Sequence, residues 1–317
     1  MKRFFSVNDI TDLQATIKEA IALKKAPQQN IHLGKGKTIG LVFLNSSLRT
    51  RLSTQKAAHN LGLYTILLNA AQEAWTWEYE DGAIMNGNTV EHVKDAANVL
   101  SQYCDIIGIR CFAGLTNKED DVSEKVYKLF EKYAKVPVIS LESATLHPLQ
   151  SLADCITIEE NLPKDKKPKV VLTWAPHIKP IPQAVGNSFA QWMNASDYEF
   201  VITHPEGYEL DTEFTKEATI EYNQEKALEN ADFVYVKNWS SFKNYGKLVP
   251  VEEDWLLTNE KLKGSNNAKI MHCLPVRRNV EISDEVLDSE NSLVYQQAYN
   301  RTFAAQIVIQ KILENNE

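Results

Sequence analysis

Short apolar runs of strand length alternate with helix-period stretches along almost the whole chain, and the alternation makes two passes. In the first pass, strands are expected at Thr38–Phe43, Tyr64–Leu68, Asp105–Ile109 and Val136–Leu141. Helices are expected between them at Arg49–Leu61, Glu91–Gln102 and Ser123–Lys135, after an amphipathic helix over Asp9–Lys25. The second pass places strands at Lys169–Trp174, Glu199–Thr203, Asp232–Lys237 and Ala268–His272, with helices near Ser188–Ala195, Asn223–Asn230 and Ser283–Leu287. Strands and helices in this order build parallel sheets covered by helices. The expected class is α/β, with two doubly wound parallel-sheet domains and a ligand site in the cleft between them, beyond the carboxyl ends of the strands.

A chain of 317 residues is long enough for two such domains. The pattern breaks near Leu146–Leu149, and a charged surface loop follows at Leu162–Pro168. The expected division is 1–147 plus 300–317, the latter carrying a last long helix over Arg301–Asn315, against 148–299. Apolar residues at 44% and charged residues at 24% are a globular profile. The formal net charge is −8, with no basic block or basic–aromatic stripe, which argues against nucleic acid as a partner. No apolar run has signal-peptide or membrane-spanning character. Cys104, Cys111, Cys155 and Cys273 lack the spacing of a zinc site and read as reduced thiols of a cytoplasmic protein. No metal or other cofactor is expected. Gly34-Lys35-Gly36-Lys37-Thr38 ends like a Walker A loop, but Ile31 stands where the first glycine belongs, and the strand follows the loop instead of preceding it.

The chemistry is sought where strands end. After the first strand come Asn45-Ser46-Ser47, a turn and cap cluster, then Leu48-Arg49-Thr50-Arg51 at a helix start. Backbone N–H groups and hydroxyls converge there, the helix dipole favours an anion, and Arg49 offers a planar fork for phosphate oxygens. Arg110 closes the third strand, and the fourth runs into Glu142 and then His147-Pro148-Leu149-Gln150, with Asp154 one helical turn on. In the second half, strands run into Trp174-Ala175-Pro176-His177, Lys237-Asn238-Trp239 and His272-Cys273-Leu274-Pro275 followed by Arg277-Arg278.

In that order these segments resemble the aspartate/ornithine carbamoyltransferase family, whose members share a Ser-Thr-Arg-Thr-Arg loop, a lone arginine after the third strand and His-Pro-x-Gln-x-x-x-Asp; the ornithine branch adds His-Cys-Leu-Pro. The resemblance implies that Ser47, Leu48, Arg49 and Thr50 cradle the phosphate of carbamoyl phosphate. It implies that Thr50, Arg110 and His147 polarise the carbamoyl carbonyl and that Gln150, with carbonyls near Cys273 and Leu274, holds the carbamoyl NH₂. Pro148 and Leu149 belong to the same motif, and Arg301 and Trp75 are implied as further contacts, Trp75 from a neighbouring subunit. Cys273 is expected to help orient the attacking amine, and Arg51 to serve as a structural ion-pair partner.

Departures from the family narrow the substrate. Leu48 replaces the loop threonine, no Ser-Met-Gly occurs, and Lys237 stands at the strand end where ornithine enzymes greet a free α-ammonium. A lysine repels an ammonium and suits an acylated amine with a carboxylate. This resembles the N-acylornithine branch, as do Trp-Ala-Pro-His and the proline-rich loop Pro176–Pro182. Glu142, His177, Lys237 and Arg277 are implied for the acylornithine. N-acetyl enzymes carry a glutamate before Glu91-His92 and a lysine after the double arginine; this chain has Val90 and Glu281. A neutral Val90 does not repel a succinyl carboxylate, and Lys179, Lys237 and Arg277 are cations that answer one. The expected reaction is carbamoyl transfer to N²-succinyl-L-ornithine in arginine biosynthesis, with N-acetylornithine or ornithine as alternative acceptors and a silent regulatory homologue as the non-enzymatic alternative. The resemblance also implies a homotrimer with shared active sites and a backbone knot threaded through Ile178–Val185.

Overall fold

In the computed structural model, which describes residues 2–163 and 166–315, parallel strands form two five-stranded sheets, each with its own core, and a small two-stranded ribbon. Lys164 and Asp165 of the charged loop lie outside the described residues. The chain starts with β1 (Arg3–Phe4), α1 (Leu13–Leu23), β2 (Thr38–Phe43), α2 (Arg49–Asn60), β3 (Tyr64–Asn69) and α3 (Ala70–Glu73). Then come β4 (Trp77–Glu78), β5 (Glu91–His92), α4 (Val93–Tyr103), β6 (Ile106–Arg110), α5 (Lys118–Val122), α6 (Lys125–Tyr133) and β7 (Val138–Glu142). After α7 (Pro148–Glu160) follow β8 (Lys169–Trp174), α8 (Ala184–Asn194), β9 (Glu199–Thr203), α9 (Thr212–Thr215), β10 (Thr219–Glu221) and α10 (Gln224–Leu228). The last elements are β11 (Phe233–Lys237), β12 (Lys269–Met271), α11 (Asp284–Leu287) and α12 (Val294–Glu314).

Contacts divide the chain into one unit of Met1–Gly114, Glu119–Leu149 and Arg301–Glu317, and another of Leu115–Lys118 and Gln150–Asn300. The first holds a five-stranded sheet in the order β1-β7-β6-β2-β3, all pairs parallel. All of β6 and β7 is buried, as near-continuous apolar runs in a sheet covered on both faces should be. Val42, Ile107, Ile109 and Val138 pack with Val93, Ala96, Tyr127 and Phe130 from the helices. Register then sets the chemistry: Phe43 pairs with Arg110, and a bulge between Ile109 and Arg110 brings Arg110 opposite Glu142. Helix α2 stops in a Schellman turn, with Gly62 at φ 81°, its N–H on His59 O, and Leu63 N–H on Ala58 O.

The second unit holds the order β10-β9-β8-β11-β12, again all parallel. Its core joins Val171, Val201, Val234, Val236 and Ile270 to Leu257, Ile282 and Val286. The proline-rich segment is held to the residues after β11, because Ser240 N–H donates to Ile181 O at 2.9 Å and Gln183 Nε2 to Ser240 O at 2.6 Å.

All eight expected strands occur, and the two-domain parallel α/β class holds. Several helix limits differ. The Asp9–Lys25 helix splits, because Ser6 caps a separate 3-10 turn at Val7–Asp9 and Asp12 caps α1 by accepting from Ala15 N–H at 2.9 Å. Glu91 and His92 are not helical; they pair with Trp77 and Glu78 in a small parallel ribbon. Helix α8 begins at Ala184, before the expected Ser188. The last helix begins at Val294, so Arg301 lies well inside it and not at its start. Among the described residues no helix is long and apolar enough to cross a membrane.

Candidate active site

In the first unit Arg110, at the end of β6, and Arg301, inside α12, converge on one buried hydroxyl. Thr50, in the first turn of α2, is 1% exposed. Its Oγ1 accepts from Arg110 Nη1 at 3.1 Å and from Arg301 Nη2 at 2.6 Å. Two guanidinium donors occupy the oxygen's acceptor positions, so the hydroxyl's remaining hydrogen-bonding capacity is as a donor. Ser47 Oγ accepts the Thr50 N–H at 3.2 Å, which fixes the turn into the helix, while Leu48 takes the N-cap position without a side-chain cap bond and is 65% exposed. Asn45 ties this loop to the end of β6 by accepting the Phe112 N–H at 2.7 Å.

Arg110 is 7% exposed, lies 4.3 Å over the Phe112 ring and donates from Nη1 to Glu142 Oε2. His147 Nε2 reaches the same Glu142 oxygen at 3.1 Å. Ser47, Thr50, Arg110, Glu142, His147 and Arg301 are thus linked as one cluster, with Arg49 half-buried beside it at the head of α2. Pro148 opens α7, where its missing N–H costs nothing, and Leu149 is buried. Glu142, expected on the acylornithine side, is here the shared partner of Arg110 and His147. Arg51 is exposed and makes no ion pair among the described residues, contrary to expectation.

Trp75 lies just before β4 and Val90 directly before β5, where Val90 N–H donates to Thr76 O at 2.9 Å. Trp77 Nε1 to Glu91 at 3.0 Å and Thr89 Oγ1 to Glu78 at 3.0 Å brace the ribbon. Trp75 is 68% exposed and Val90 58%.

The second unit supplies a different constellation. Gln150 Nε2 and Gln297 Nε2 each donate to Asp154 Oδ1 at 2.7 Å. With its NH₂ on Asp154, Gln150 has its Oε1 as an acceptor. Gln297 Oε1 accepts the His272 N–H at 2.9 Å, which couples this pair to the Cys273-Leu274 segment. His272 Nδ1 accepts the Leu274 N–H at 2.8 Å, leaving Nε2 to carry a proton toward Glu281 Oε2 at 2.9 Å. Glu281 Oε1 in turn accepts the Arg277 N–H at 2.9 Å. Burial pushes the Glu281 carboxyl up, but the hydrogen bond and charge of His272, the charge of Lys237 and the Arg277 N–H outweigh it and hold the group below its ordinary value. Leu274 has φ 54°, so the backbone here turns sharply. Arg277 Nε meets His177 Nε2 at 3.0 Å, and Lys237, buried at the end of β11, donates to Asn238 at 2.6 Å. Asn238, Gln297 and the His272–Glu281 pair carry no local sequence signal for these roles; each partner is distant in sequence or looks like an ordinary polar neighbour. Among the described residues, no group of His, Cys, Asp and Glu could hold a metal ion.

Two family models match the chain. Residues 2–160 match aspartate/ornithine carbamoyltransferase, carbamoyl-P binding domain, and residues 182–311 match aspartate/ornithine carbamoyltransferase, Asp/Orn binding domain. The chain is 51% identical to N-succinylornithine carbamoyltransferase of Bacteroides fragilis, over 99% of each chain. It is 49% identical to the N-succinylornithine carbamoyltransferase of Bacteroides thetaiotaomicron, over 100% of each. Among solved structures, a glutamate-to-valine mutant of N-acetyl-L-ornithine transcarbamylase, complexed with carbamyl phosphate and N-succinyl-L-norvaline, is 31% identical with TM-score 0.91, covering 98% of this chain and 100% of that one.

Proposed function

The chain belongs to the aspartate/ornithine carbamoyltransferase family, and we propose that it transfers the carbamoyl group of carbamoyl phosphate to the δ-amine of N²-succinyl-L-ornithine. The products are N²-succinyl-L-citrulline and phosphate, and the step belongs to arginine biosynthesis. The observation that carries this reading is the convergence of Arg110 and Arg301 on the Thr50 hydroxyl at a helix start. That arrangement concentrates positive charge and O–H and N–H donors where a phosphate and a developing oxyanion need them.

Ser47, Leu48, Arg49 and Thr50 bind the phosphate, with Arg301 behind Thr50. Thr50, Arg110 and His147 polarise the carbamoyl carbonyl. Gln150, oriented by Asp154, accepts from the carbamoyl NH₂ together with carbonyls of Cys273 and Leu274, and Cys273 helps orient the amine. The δ-amine has an ordinary pKa of about 10.4 by analogy with lysine, so it loses a proton before attack. The neutral amine adds to the carbamoyl carbon to give a tetrahedral oxyanion. Its collapse breaks the C–O bond to phosphate, and the departing phosphate takes the second proton from the new C–N nitrogen, the first having gone to solvent. Catalysis is positioning plus stabilisation of the oxyanion.

His177, Lys237 and Arg277 serve the acylornithine, and Glu142 serves it once drawn from Arg110 and His147. Val90 corresponds, on this reading, to the glutamate of N-acetyl enzymes; the relative in which a glutamate is replaced by valine was complexed with N-succinyl-L-norvaline. Exposed Leu48, Leu52, Tyr64, Trp75 and Ile84 on the first unit support a homo-oligomer, proposed as a trimer with Trp75 completing a neighbour's site. The knot through Ile178–Val185 and a cytoplasmic location, in keeping with four cysteines outside any disulfide, complete the proposal. The basic test offers the purified protein carbamoyl phosphate and N-succinylornithine. Equal amounts of phosphate and a product heavier by one carbamoyl group support transfer; phosphate without that product points to hydrolysis.

A further inference from the structure

The turn that delivers His147 is built around a buried carboxylate outside every motif. Ser143, Ala144 and Thr145 follow β7 and lead through Leu146 into His147. Their donors converge on Glu124, which is 4% exposed. Thr145 N–H at 2.6 Å and Ser143 Oγ at 2.7 Å donate to its Oε1, joined by the Thr145 hydroxyl. Ala144 N–H donates to Oε2 at 3.3 Å. The turn also closes on itself, with Ser143 N–H on Leu146 O at 2.8 Å and Leu146 N–H on Ser143 Oγ at 3.2 Å. The residues on either side of it, Glu142 and His147, then meet at 3.1 Å.

Glu124 itself is firmly placed. It stands at the N-cap of α6 in the left-handed region, φ 57° and ψ 36°. That conformation is uncommon for a residue with a long side chain and persists where the surroundings over-determine it. Its N–H donates to Asp121 O at 3.1 Å, and its carbonyl accepts from Lys128 N–H at 2.9 Å. Burying a carboxylate is costly unless donors satisfy it, and here the donors are three successive residues ending two positions before His147.

We propose that Glu124 is a positioning residue: its carboxylate sets the shape of the Ser143–Leu146 turn and so places the His147 imidazole for catalysis. This rests on the carbamoyl-transfer reading, which the activity of the unaltered protein tests separately. A misplacement of about 1 Å in a catalytic group costs on the order of a hundredfold in rate, so a loosened turn is expected to be costly.

The experiment compares the full-length protein with Glu124→Ala and Glu124→Gln, alone and combined with His147→Ala, after melting curves establish folding. Glu124→Ala is expected to lower kcat roughly ten- to a hundredfold. Glu124→Gln, whose amide oxygen still accepts from Thr145, should recover part of the loss. In the His147→Ala background, Glu124→Ala should change kcat by less than about twofold, because residues acting as a unit are non-additive. A fold stabiliser unconnected with His147 would instead multiply the losses, and that result, or a kcat near the parent's in Glu124→Ala, overturns the proposal. Should the Glu124 variants not fold, Thr145→Val, which removes one donor and keeps the shape, takes their place with the same criteria. Independently of turnover, the ring resonances of His147 in histidine-labelled protein should move in Thr145→Val; unmoved resonances overturn the proposal even if the protein proves inactive toward every amine.

Discussion

Arg301 Nη2 donates to Thr50 Oγ1 at 2.6 Å, joining the last helix to the first turn of α2 across 251 positions of sequence. The same oxygen holds Arg110, so a single hydroxyl sets the positions of two buried guanidinium groups. Thr50→Val keeps the shape but strips both arginines of an acceptor and removes the hydroxyl donor proposed for the carbamoyl carbonyl. Loss of a donor aimed at a developing oxyanion costs roughly a hundred- to a thousandfold in kcat. Thr50→Ser should restore most of it. Steady-state rates for the two variants check this; equal damage in both would assign the site's need to the methyl group instead.

Arg110→Met and His147→Ala should each damage turnover more than folding, since both residues stand at or beyond strand ends rather than among the apolar side chains of the sheet. The expected loss is again on the order of a hundred- to a thousandfold in kcat. A folded variant of either with near-parent turnover would remove that residue from the proposed site.

The His272–Glu281 pair is a stability element with a pH signature. Both side chains are buried, at 0% and 1% exposure. Breaking such a pair by Glu281→Ala should cost about 3 kcal/mol in denaturant unfolding, because it leaves a buried donor unmatched. Glu281 titrates below its ordinary value of 4.5, so its stabilisation is complete above that value and drains away as pH falls toward the lower folded pKa. The parent should therefore lose stability more steeply than Glu281→Gln below pH 4.5. Parallel curves would show that the pair contributes nothing to acid sensitivity.

If Trp75 completes a neighbour's site, inactive Trp75→Ala and Arg110→Ala proteins should complement each other. Mixed oligomers contain some sites with neither change, and activity should reappear on subunit exchange. No recovery after exchange is verified by mass would place Trp75 in its own subunit's site.

Much of the fold, and of the set of polar side chains that cluster at the candidate site, was legible in the sequence for a physical reason. Strands such as Ile106–Arg110 and Phe233–Lys237 are buried on both faces, so they are written as apolar runs with a polar residue only where the strand ends. The amino-acid order alone therefore marks the end residues as candidates for chemistry. Short or polar pieces hide. Arg3–Phe4 is a strand of two residues, too short to show a period, held by its pairing with β7 and the burial of Phe4. The first turns of α12 resemble a loop because Gln297 and Asn300 are polar, yet both are buried at 0% exposure, satisfied by Asp154 and Thr157. Glu124 hides for the same reason, because its partners lie about twenty positions on and no periodicity links them.

Substrate choice is tested most directly by kcat/KM for N-succinylornithine, N-acetylornithine and ornithine with saturating carbamoyl phosphate, measured on the parent and on Val90→Glu. The parent should prefer N-succinylornithine. A carboxylate introduced beside the succinyl carboxylate costs on the order of 1–3 kcal/mol in a partly wet site, so Val90→Glu should shift the succinyl-to-acetyl ratio roughly ten- to a hundredfold toward acetyl. A parent that prefers N-acetylornithine or ornithine, or a ratio that Val90→Glu leaves unchanged, would contradict the assignment of N-succinylornithine as the acceptor read through Val90.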